Sequence, residues 1–286
     1  MNPVVIDIGP LVLHEYTAWV MGGILLGLAL IAGHGYTAER HALRPHTAIT
    51  PYMAITRWLD VGIVALIASV IGARALHVAL DWDYFAQHTQ DIDRLKTGGM
   101  AWQGGLIAAI PATWITARLR RVPFRAWTDA ATLALPIGMM ATWQGCRNTG
   151  CGYGYEVHTL ADWPGWMVAE LPDVFGQVAP RLDIQTGGVI FGGIIFALAV
   201  LLTWRNWLPG LRLWIVLVIA GLGLLIAGYL RADPTQTILN HRADQALNAW
   251  LVIASAGIGG ILWLMDRHNT NDLRKGDAMQ FEKLSR

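Results

Sequence analysis

Charged residues are scarce in this chain: they make up only 14% of its 286 residues, whereas hydrophobic residues make up 54%. A soluble globular domain carries about 25% charged residues, so this composition is typical of a membrane protein instead. A strong net charge is also absent, since the formal value is +1 and no basic tract of the kind that binds nucleic acid is present. We therefore expect a membrane protein without a nucleic-acid partner.

Cysteine is nearly absent as well, because the chain has only Cys146 and Cys151. Two cysteines are too few for a disulfide-stapled scaffold or a four-ligand zinc site. At this short spacing they can form a small-loop disulfide in an oxidising compartment or stay as two free thiols. The signatures of serine hydrolases, P-loop proteins, zinc proteases and Rossmann domains are missing too. The sequence therefore predicts neither a metal site nor a cofactor.

Long apolar segments are what the chain does have. A membrane-spanning helix needs about 20 mostly apolar residues. The sequence predicts seven such segments, at about 17–35, 59–80, 99–117, 127–145, 186–204, 211–230 and 246–265. The third and fourth contain Gln103, Asp129 and Gln144, so either can be a broken or re-entrant element that faces protein or water. The fold class we expect is an all-α integral membrane protein, with a seven-span membrane domain over 1–266 and a polar cytoplasmic tail over 267–286.

The distribution of basic residues predicts the orientation of these spans. Fourteen of the 21 Lys and Arg residues fall on one side of the predicted membrane and six on the other, with Arg74 inside a span. Because cytoplasmic loops carry the excess of Lys and Arg, the N-terminus is predicted outside and the C-terminus in the cytoplasm. An external loop then covers 146–185. A loop of this length is usually functional or has short helices of its own, but Trp163 and Trp166 favour a position at the level of the lipid headgroups.

Glycine-rich sequences begin and end the stretch from Thr97 to Gly154. Gly98, Gly99, Gly104 and Gly105 open it, and Gly145, Gly150, Gly152 and Gly154 close it. Glycine lets two backbones approach closely and lets the chain bend around a ligand. We interpret this stretch as the lining of a site embedded in the membrane.

Ionisable groups inside spans are costly and usually mark a polar site. Arg74 and His77 lie one helical turn apart in the second segment, and Asp129 lies in the fourth. One hypothesis is that Arg74 pairs with Asp129 and so holds two helices together. The other is that Arg74 binds the phosphate of an anionic lipid, which arginine can contact with two parallel hydrogen bonds.

Four further polar residues flank the ends of predicted spans. Arg147 and Arg231 stand next to spans on the external side, and His14 and Tyr16 precede the first span. Each can be an interface anchor whose polar tip reaches the headgroups. Each can equally line the rim of a cavity.

Several short motifs occur in a distinctive order along the chain. They are Ile8-Gly9-Pro10 with Leu13-His14-Glu15-Tyr16, Gly72-Ala73-Arg74, Gly98-Gly99-Met100 with Gly104-Gly105-Leu106-Ile107, the series Asp129, Pro136, Gly138, Gly145, Gly150 and Gly154, and Leu230-Arg231-Ala232-Asp233-Pro234. In this order and spacing the chain resembles the prolipoprotein diacylglyceryl transferases of bacterial membranes, over nearly its whole length.

The resemblance implies a fold, a location and a reaction. Such enzymes are multi-pass proteins of the bacterial inner membrane that move diacylglyceryl from phosphatidylglycerol to the lipobox cysteine of a prolipoprotein. The chemistry is attack by a thiolate on a glycerol carbon, while cationic groups stabilise the departing phosphate. The resemblance implies a central cavity between the second, third, fourth and sixth segments, open to the outer leaflet. Its expected lipid-binding residues are His14, Tyr16, Arg74, Gln103, Gly104, Asp129, Trp143, Arg147 and Arg231.

This chain departs from the family at the reactive positions. Gln103 stands where the family has histidine, Trp143 where it has arginine, and Thr149 where it has asparagine. Loss of an arginine that stabilises a phosphate can cost about three to five powers of ten in rate. Arg147, four residues beyond Trp143, shares its helical face and can replace the lost charge if the helix continues that far. Gln103 and Arg147 are therefore the candidate catalytic residues.

Two hypotheses follow from these departures. The first is a family member with a phospholipid-binding cavity that has lost the reaction and acts in lipid binding or as a subunit of a membrane complex. The second is an active transferase with a rearranged site, in which Arg74, Arg147 and Arg231 bind the phosphate.

Overall fold

The computed structural model describes residues 4–8, 11–42, 51–95, 98–238 and 240–284, and most of them are helical. The helices are α1 Glu15–Ala42, α2 Pro51–Leu80, α3 Trp82–Phe85, α4 Trp102–Arg120, α5 Phe124–Thr149, α6 Ile184–Trp204, α7 Arg212–Leu230 and α8 Ala243–Leu284. Three antiparallel hairpins join them: β1 Val4–Ile8 with β2 Leu11–His14, β3 Val168–Pro172 with β4 Val178–Leu182, and β5 Thr237–Ile238 with β6 His241–Arg242.

Each of the seven predicted segments coincides with a long helix. Five of these helices, namely α1, α2, α6, α7 and α8, are long and apolar enough to cross a membrane. The chain is therefore a mostly helical, multi-pass membrane protein. The other two, α4 and α5, are the segments in which the sequence places polar residues, and both are continuous helices of 19 and 26 residues rather than broken elements.

Helix α5 is longer than the sequence predicts, and the loop after it begins later. Gly145 does not end the helix, which continues through Arg147 to Thr149 and stops at Gly150, whose φ is 76°. At Gly145 a Cβ atom would lie only 2.8 Å from Cδ2 of Tyr16, so this glycine lets α1 approach α5 closely. The predicted start of the loop at 146 is thus wrong, because a packing glycine was interpreted as a helix end.

Small residues also determine how α2 packs against α4. A Cβ added to Gly72 would lie 2.4 Å from both Cβ of Ala108 and the carbonyl oxygen of Gly104, and one added to Gly105 would lie 2.6 Å from Oγ of Ser69. The two backbones therefore touch, as expected where apolar burial alone does not drive helices together. Helix α7 lies centrally, since its buried Leu213, Trp214 and Leu217 pack against residues of α4, α5 and α8.

The bundle has two ends, which we name by their residues. At the site end, α2, α5 and α7 finish, and α1, α4, α6 and α8 begin. Two contacts show this: Gly72 near the end of α2 meets Gly104 at the start of α4, and Tyr16 at the start of α1 meets Gly145 near the end of α5. At the arginine end lie the turn 118–125 and the start of α7 at Arg212. Helix α8 passes this end without interruption, because its backbone stays helical through the predicted tail as far as Leu284.

Candidate functional site

The first turns of α8 bring together polar residues from distant parts of the chain. Gln103, at the start of α4, donates from Nε2 to Oδ1 of Asn248 over 2.8 Å, and both side chains are buried. Asp244 lies one turn before Asn248 on the same helical face. Its carboxylate is 3.3 Å from Nη1 of Arg231, which follows the end of α7. Helix α8 thus links Gln103 to Arg231 at the site end.

Carboxylates surround Arg231. Its Nε donates to Oδ1 of Asp233 over 2.8 Å, and Asp244 contacts it from the other side. Arg242 contacts the same two carboxylates, so two cations and two anions form one balanced cluster. Burial alone would lower the pKa of Arg231, but the hydrogen bond and charge of Asp233 outweigh burial and hold that pKa above its ordinary value. Arg231 is therefore charged, and its charge is compensated within the protein.

Trp143 fills the space beside this cluster. Its side chain is buried, and a Cβ added to Gly188 of α6 would lie 2.4 Å from its ring. On the other side a Cβ at Gly152, where φ is 61°, would lie 3.3 Å from the indole and 3.8 Å from Nε of Arg231. An apolar indole thus occupies the position at which the family resemblance implies an arginine.

Arg147 lies one turn beyond Trp143, and both side chains contact α6, as the four-residue spacing predicts. Its Nε donates to Oγ1 of Thr186 over 2.9 Å and lies 3.3 Å from Oδ2 of Asp183. Asp183 also caps α6, because its Oδ1 accepts a hydrogen bond from the backbone N–H of Thr186 over 2.9 Å. Arg147 therefore fixes the start of α6 against the end of α5, while 37% of its side chain stays exposed.

Arg74 holds the loop that follows α2. Its guanidinium donates to the carbonyl oxygens of Asp91, Ile92, Gly98 and Gly99 over 2.5–3.1 Å. The segment 98–101 also pairs directly with α2, since the N–H of Ala101 donates to the carbonyl of Ala73 over 3.0 Å. The backbone carbonyls of this loop thus accept the hydrogen bonds of the Arg74 guanidinium.

Of the two hypotheses for Arg74, the pairing with Asp129 is wrong. Asp129 instead accepts a hydrogen bond from the N–H of Gly210 over 2.7 Å and lies 3.6 Å from Arg212. Helices α2 and α5 both run from the arginine end to the site end, and Asp129 lies early in α5 whereas Arg74 lies late in α2. At a rise of about 1.5 Å per residue, the two side chains are near opposite ends of the bundle. Asp129 is therefore not part of the site.

The remaining expected residues lie at the site end. Tyr16 packs against Gly145, Gly104 packs against Gly72, and His14 ends β2 directly before α1. The amide of Asn148, in the last turn of α5, donates to the carboxylate of Glu15 in the first turn of α1. The contacts of Tyr16 with Gly145 and of Asn148 with Glu15 join the start of α1 to the end of α5.

A pocket of about 280 Å³ opens beneath the loop after α2. Its lining includes Arg74, His77, Tyr84 and Asp91. The hydroxyl of Tyr84 donates to the carboxylate of Asp91 over 2.8 Å, and this hydrogen bond raises the pKa of the phenol. Among the residues that the structure describes, no three His, Cys, Asp or Glu side chains are grouped as a metal site would require.

The Arg74 contacts lead to a prediction about the loop 82–99. In the Arg74→Met variant, four carbonyls lose a charged hydrogen-bond donor. We therefore expect trypsin to cleave after Arg94 about tenfold faster. This rate change corresponds to a decrease of about 1.4 kcal/mol in the free energy of local opening of the loop. Cleavage after Arg205, on an unrelated turn of the same molecule, is the internal control. Equal cleavage of both proteins after Arg94 would show that Arg74 does not hold this loop.

The structure resolves the alternatives for the two cysteines. Cys146 and Cys151 form a disulfide with an S–S distance of 2.08 Å, at the site end where α5 finishes. The carbonyl of Cys151 accepts a hydrogen bond from Nε2 of Gln185 over 3.2 Å. Gln185 is fully buried at the start of α6, and its Oε1 accepts no hydrogen bond from any residue that the structure describes.

Sequence reasoning missed the partners of the site residues. Asn248, Asp244 and Asp183 decide what Gln103, Arg231 and Arg147 do, and none of the three was a candidate. Asn248 carried a usable signal, because an amide within the apolar sequence from Ala246 onward needs a polar partner. The two aspartates carried no such signal, since each lies at the beginning of a helix where acidic residues are common.

Comparison with known proteins agrees with this architecture. The family model described as prolipoprotein diacylglyceryl transferase matches residues 3–263. Three relatives are each named phosphatidylglycerol–prolipoprotein diacylglyceryl transferase. The protein of Bacillus licheniformis is 26% identical over 266 residues, covering 90% of this chain and 91% of the relative. Those of Streptococcus equi subsp. zooepidemicus and Symbiobacterium thermophilum are 25% and 26% identical, covering 94% and 93% of this chain and 96% and 94% of the relatives. The chain therefore belongs to the prolipoprotein diacylglyceryl transferase family.

Proposed function

We propose that this chain is a non-catalytic member of its family, which keeps the membrane scaffold and does not transfer diacylglyceryl groups. The observation that carries the proposal is the buried indole of Trp143, packed against Gly188 and Gly152 beside Arg231. A departing phosphate gains negative charge in the transition state, and a cation that carboxylates already neutralise stabilises that charge less. Here the indole replaces one cation, and Asp233 and Asp244 compensate the other.

The position of Gln103 supports the same proposal. A cysteine thiol has a pKa of about 8.5, so attack on a glycerol carbon requires a base or another group that favours the thiolate. A neutral amide cannot accept a proton at physiological pH. The amide of Gln103 is moreover held by Asn248 in a buried hydrogen bond.

We further propose that all seven long helices cross the bacterial inner membrane, with the site end outside. Two independent features support this orientation. The arginine-rich turn 118–125 lies at the opposite end, as the positive-inside rule requires of a cytoplasmic loop. The disulfide between Cys146 and Cys151 lies at the site end, and disulfides persist in oxidising compartments such as the periplasm.

The role that we propose is the binding of phosphatidylglycerol or a similar phospholipid at the site end, or of a neighbouring subunit in a membrane complex. The guanidinium of Arg74 already donates to the carbonyls of the loop after α2, so a lipid headgroup would instead meet the partly exposed Arg147 and Arg231. Both lie near Trp143 and the disulfide, where α5, α6 and α7 meet.

The alternative is an active phosphatidylglycerol–prolipoprotein diacylglyceryl transferase with a rearranged site. The observation in its favour is that Arg147 is only one turn from Trp143 and is 37% exposed. The three relatives reported above, which match over about nine-tenths of the chain, also carry the name of the transferase.

Complementation separates these two functions. The test uses cells depleted of their own transferase that express this chain instead. Its amount in the membrane is matched to that of an active transferase that restores growth in control cells. We expect the cells with this chain to stop growing and to accumulate unmodified prolipoprotein. The reason is that Trp143 and Gln103 replace the two chemical groups that the reaction needs. Restored growth and lipoprotein modification, lost again in the Arg147→Ala variant, would show that the alternative is correct.

A further inference from the structure

A groove of about 490 Å³ lies between α2 and α4 at the arginine end, far from Trp143 and Gln103. It is lined by Asp60, Ile63, Val64, Thr116, Leu119 and Arg120. We call it the α2–α4 groove. Its volume falls within the range of about 300–1,000 Å³ that is typical of small-molecule sites.

The groove exists because α2 and α4 do not pack uniformly along their length. Toward the site end, glycine and other small residues bring the backbones into contact, as at Gly72 and Gly105. Toward the arginine end the facing residues are larger, and the proline at Pro111 interrupts the hydrogen bonds of α4 between these two regions. The groove walls therefore belong to rigid helices of the bundle.

The walls of the groove are apolar and face outward. Leu119 is 77% exposed, and Ile63 and Val64 are 46% and 38% exposed. Ile63 and Val64 lie within the long apolar helix α2, where the exposed aliphatic side chains of a multi-pass membrane protein face the acyl chains of lipids, and Leu119 lies at the end of α4. The groove thus has room and suitable walls for an acyl chain.

Basic residues lie at and next to the mouth of the groove. Arg120, at the end of α4, places Nη2 2.7 Å from Oδ2 of Asp60, and 52% of its side chain remains exposed. Arg118 and Arg121 do not line the groove but are exposed on the same turn, and no acidic residue occurs between 118 and 128. The three arginines of this turn outnumber Asp60, so the surface next to the mouth favours an anionic headgroup.

From this combination we infer that the α2–α4 groove binds one anionic glycerophospholipid from the leaflet that faces the arginine-rich turn. An acyl chain lies along Ile63, Val64 and Leu119, and the phosphate meets Arg120. Arginine suits this position because its guanidinium can form two hydrogen bonds with a phosphate and still contact a carboxylate. The inference does not depend on whether the chain catalyses transfer, since the groove lies at the end opposite the candidate site.

Binding can be measured by native mass spectrometry of the delipidated full-length protein with phosphatidylglycerol and with phosphatidylcholine of the same acyl chains. We expect tighter binding of phosphatidylglycerol and about a three- to tenfold loss of its affinity in Arg120→Gln. Asp60→Asn is expected to bind more tightly, because it removes the carboxylate that competes with the phosphate. Arg205→Gln, which removes an exposed arginine at the same end of the bundle, is the matched control and should bind like the parent protein.

Two further measurements keep the test specific to the groove. Thr116→Phe fills the groove without touching the ion pair, so it should weaken binding even if Arg120→Gln fails to fold. A phosphatidylglycerol that carries a photoreactive diazirine in its acyl chain should crosslink to residues 60–64 and 116–120. Four outcomes would each overturn the inference. In binding, they are equal affinity for the two lipids and unchanged affinity in both Arg120→Gln and Thr116→Phe. The other two are crosslinks only near Trp143 and capture of a protein subunit in the groove.

Discussion

Asp129→Ala is expected to destabilise the folded protein by about 3–5 kcal/mol, the cost of breaking a buried ion pair on one side. The side chains of Asp129 and Arg212 are only 6% and 4% exposed, and they lie 3.6 Å apart. Asp129 also accepts the N–H of Gly210, where φ is 79°, so it holds the turn before α7 against α5. Removing the carboxylate leaves a buried guanidinium and a backbone donor without this partner. Reversible unfolding in mixed micelles measures the loss.

The controls for this prediction use charges at the same end of the bundle. Asp266 pairs with Arg125, but these side chains are 43% and 42% exposed, so Asp266→Ala should cost no more than about 1 kcal/mol. The double variant Asp129→Ala with Arg212→Met should be less destabilised than the sum of the single variants, because it leaves no buried charge uncompensated. Additive costs would mean that the two residues stabilise the fold separately.

Gly188→Ala is expected to destabilise the protein by about 1–3 kcal/mol, because a single methyl group overfills the contact between α5 and α6. The new Cβ would lie 2.4 Å from Cδ2 of Trp143, closer than any real contact, so the indole or the helix must move. The neighbouring Gly187 is the matched control, since nothing lies within 4 Å of its Cβ position. Gly187→Ala should be neutral or should stabilise α6 by about 0.5–1 kcal/mol, through the higher helix propensity of alanine.

A second background tests whether the indole is the cause. Trp143→Leu removes the ring atoms that the new methyl group would meet, so Gly188→Ala should cost much less in that background. An equal cost in both backgrounds would assign the effect to the backbone of α6 rather than to Trp143. Thermal unfolding of all four proteins in one detergent completes the double-mutant cycle.

The glycines of the family motifs and the residues at the expected reactive positions have different roles in this structure. Gly72, Gly104 and Gly145 match the family motifs, and each allows a backbone or ring contact that a side chain would block. Gln103, where the family resemblance implies histidine, forms a buried amide pair, and Trp143, where it implies arginine, is buried between α5 and α6. A fold that depends on its glycines can be kept when groups at other positions change, as the proposed loss of the reaction requires.

Hydropathy alone was enough to locate all seven long helices. A helix satisfies its backbone hydrogen bonds within its own segment, so a local run of about 20 mostly apolar residues is enough to indicate one. Hydropathy does not tell whether a glycine ends a helix or packs against a neighbouring helix. Gly150 ends α5 with a left-handed conformation, whereas Gly145 lies within the helix and packs against Tyr16. The two cannot be distinguished until the neighbouring helix is in place, and this is why the end of α5 was predicted too early.

The sequence by itself determined that this is a helical membrane protein and to which family its motifs belong. Only the tertiary structure decided what its charged residues do: Arg74 holds a loop, Asp129 pairs with Arg212 rather than Arg74, and Arg231 is compensated by Asp233 and Asp244. The physical reason is that the apolar character of a segment is a sum over neighbouring residues in the chain. The partner of a buried charge depends instead on which helices lie side by side, and in which direction each of them runs.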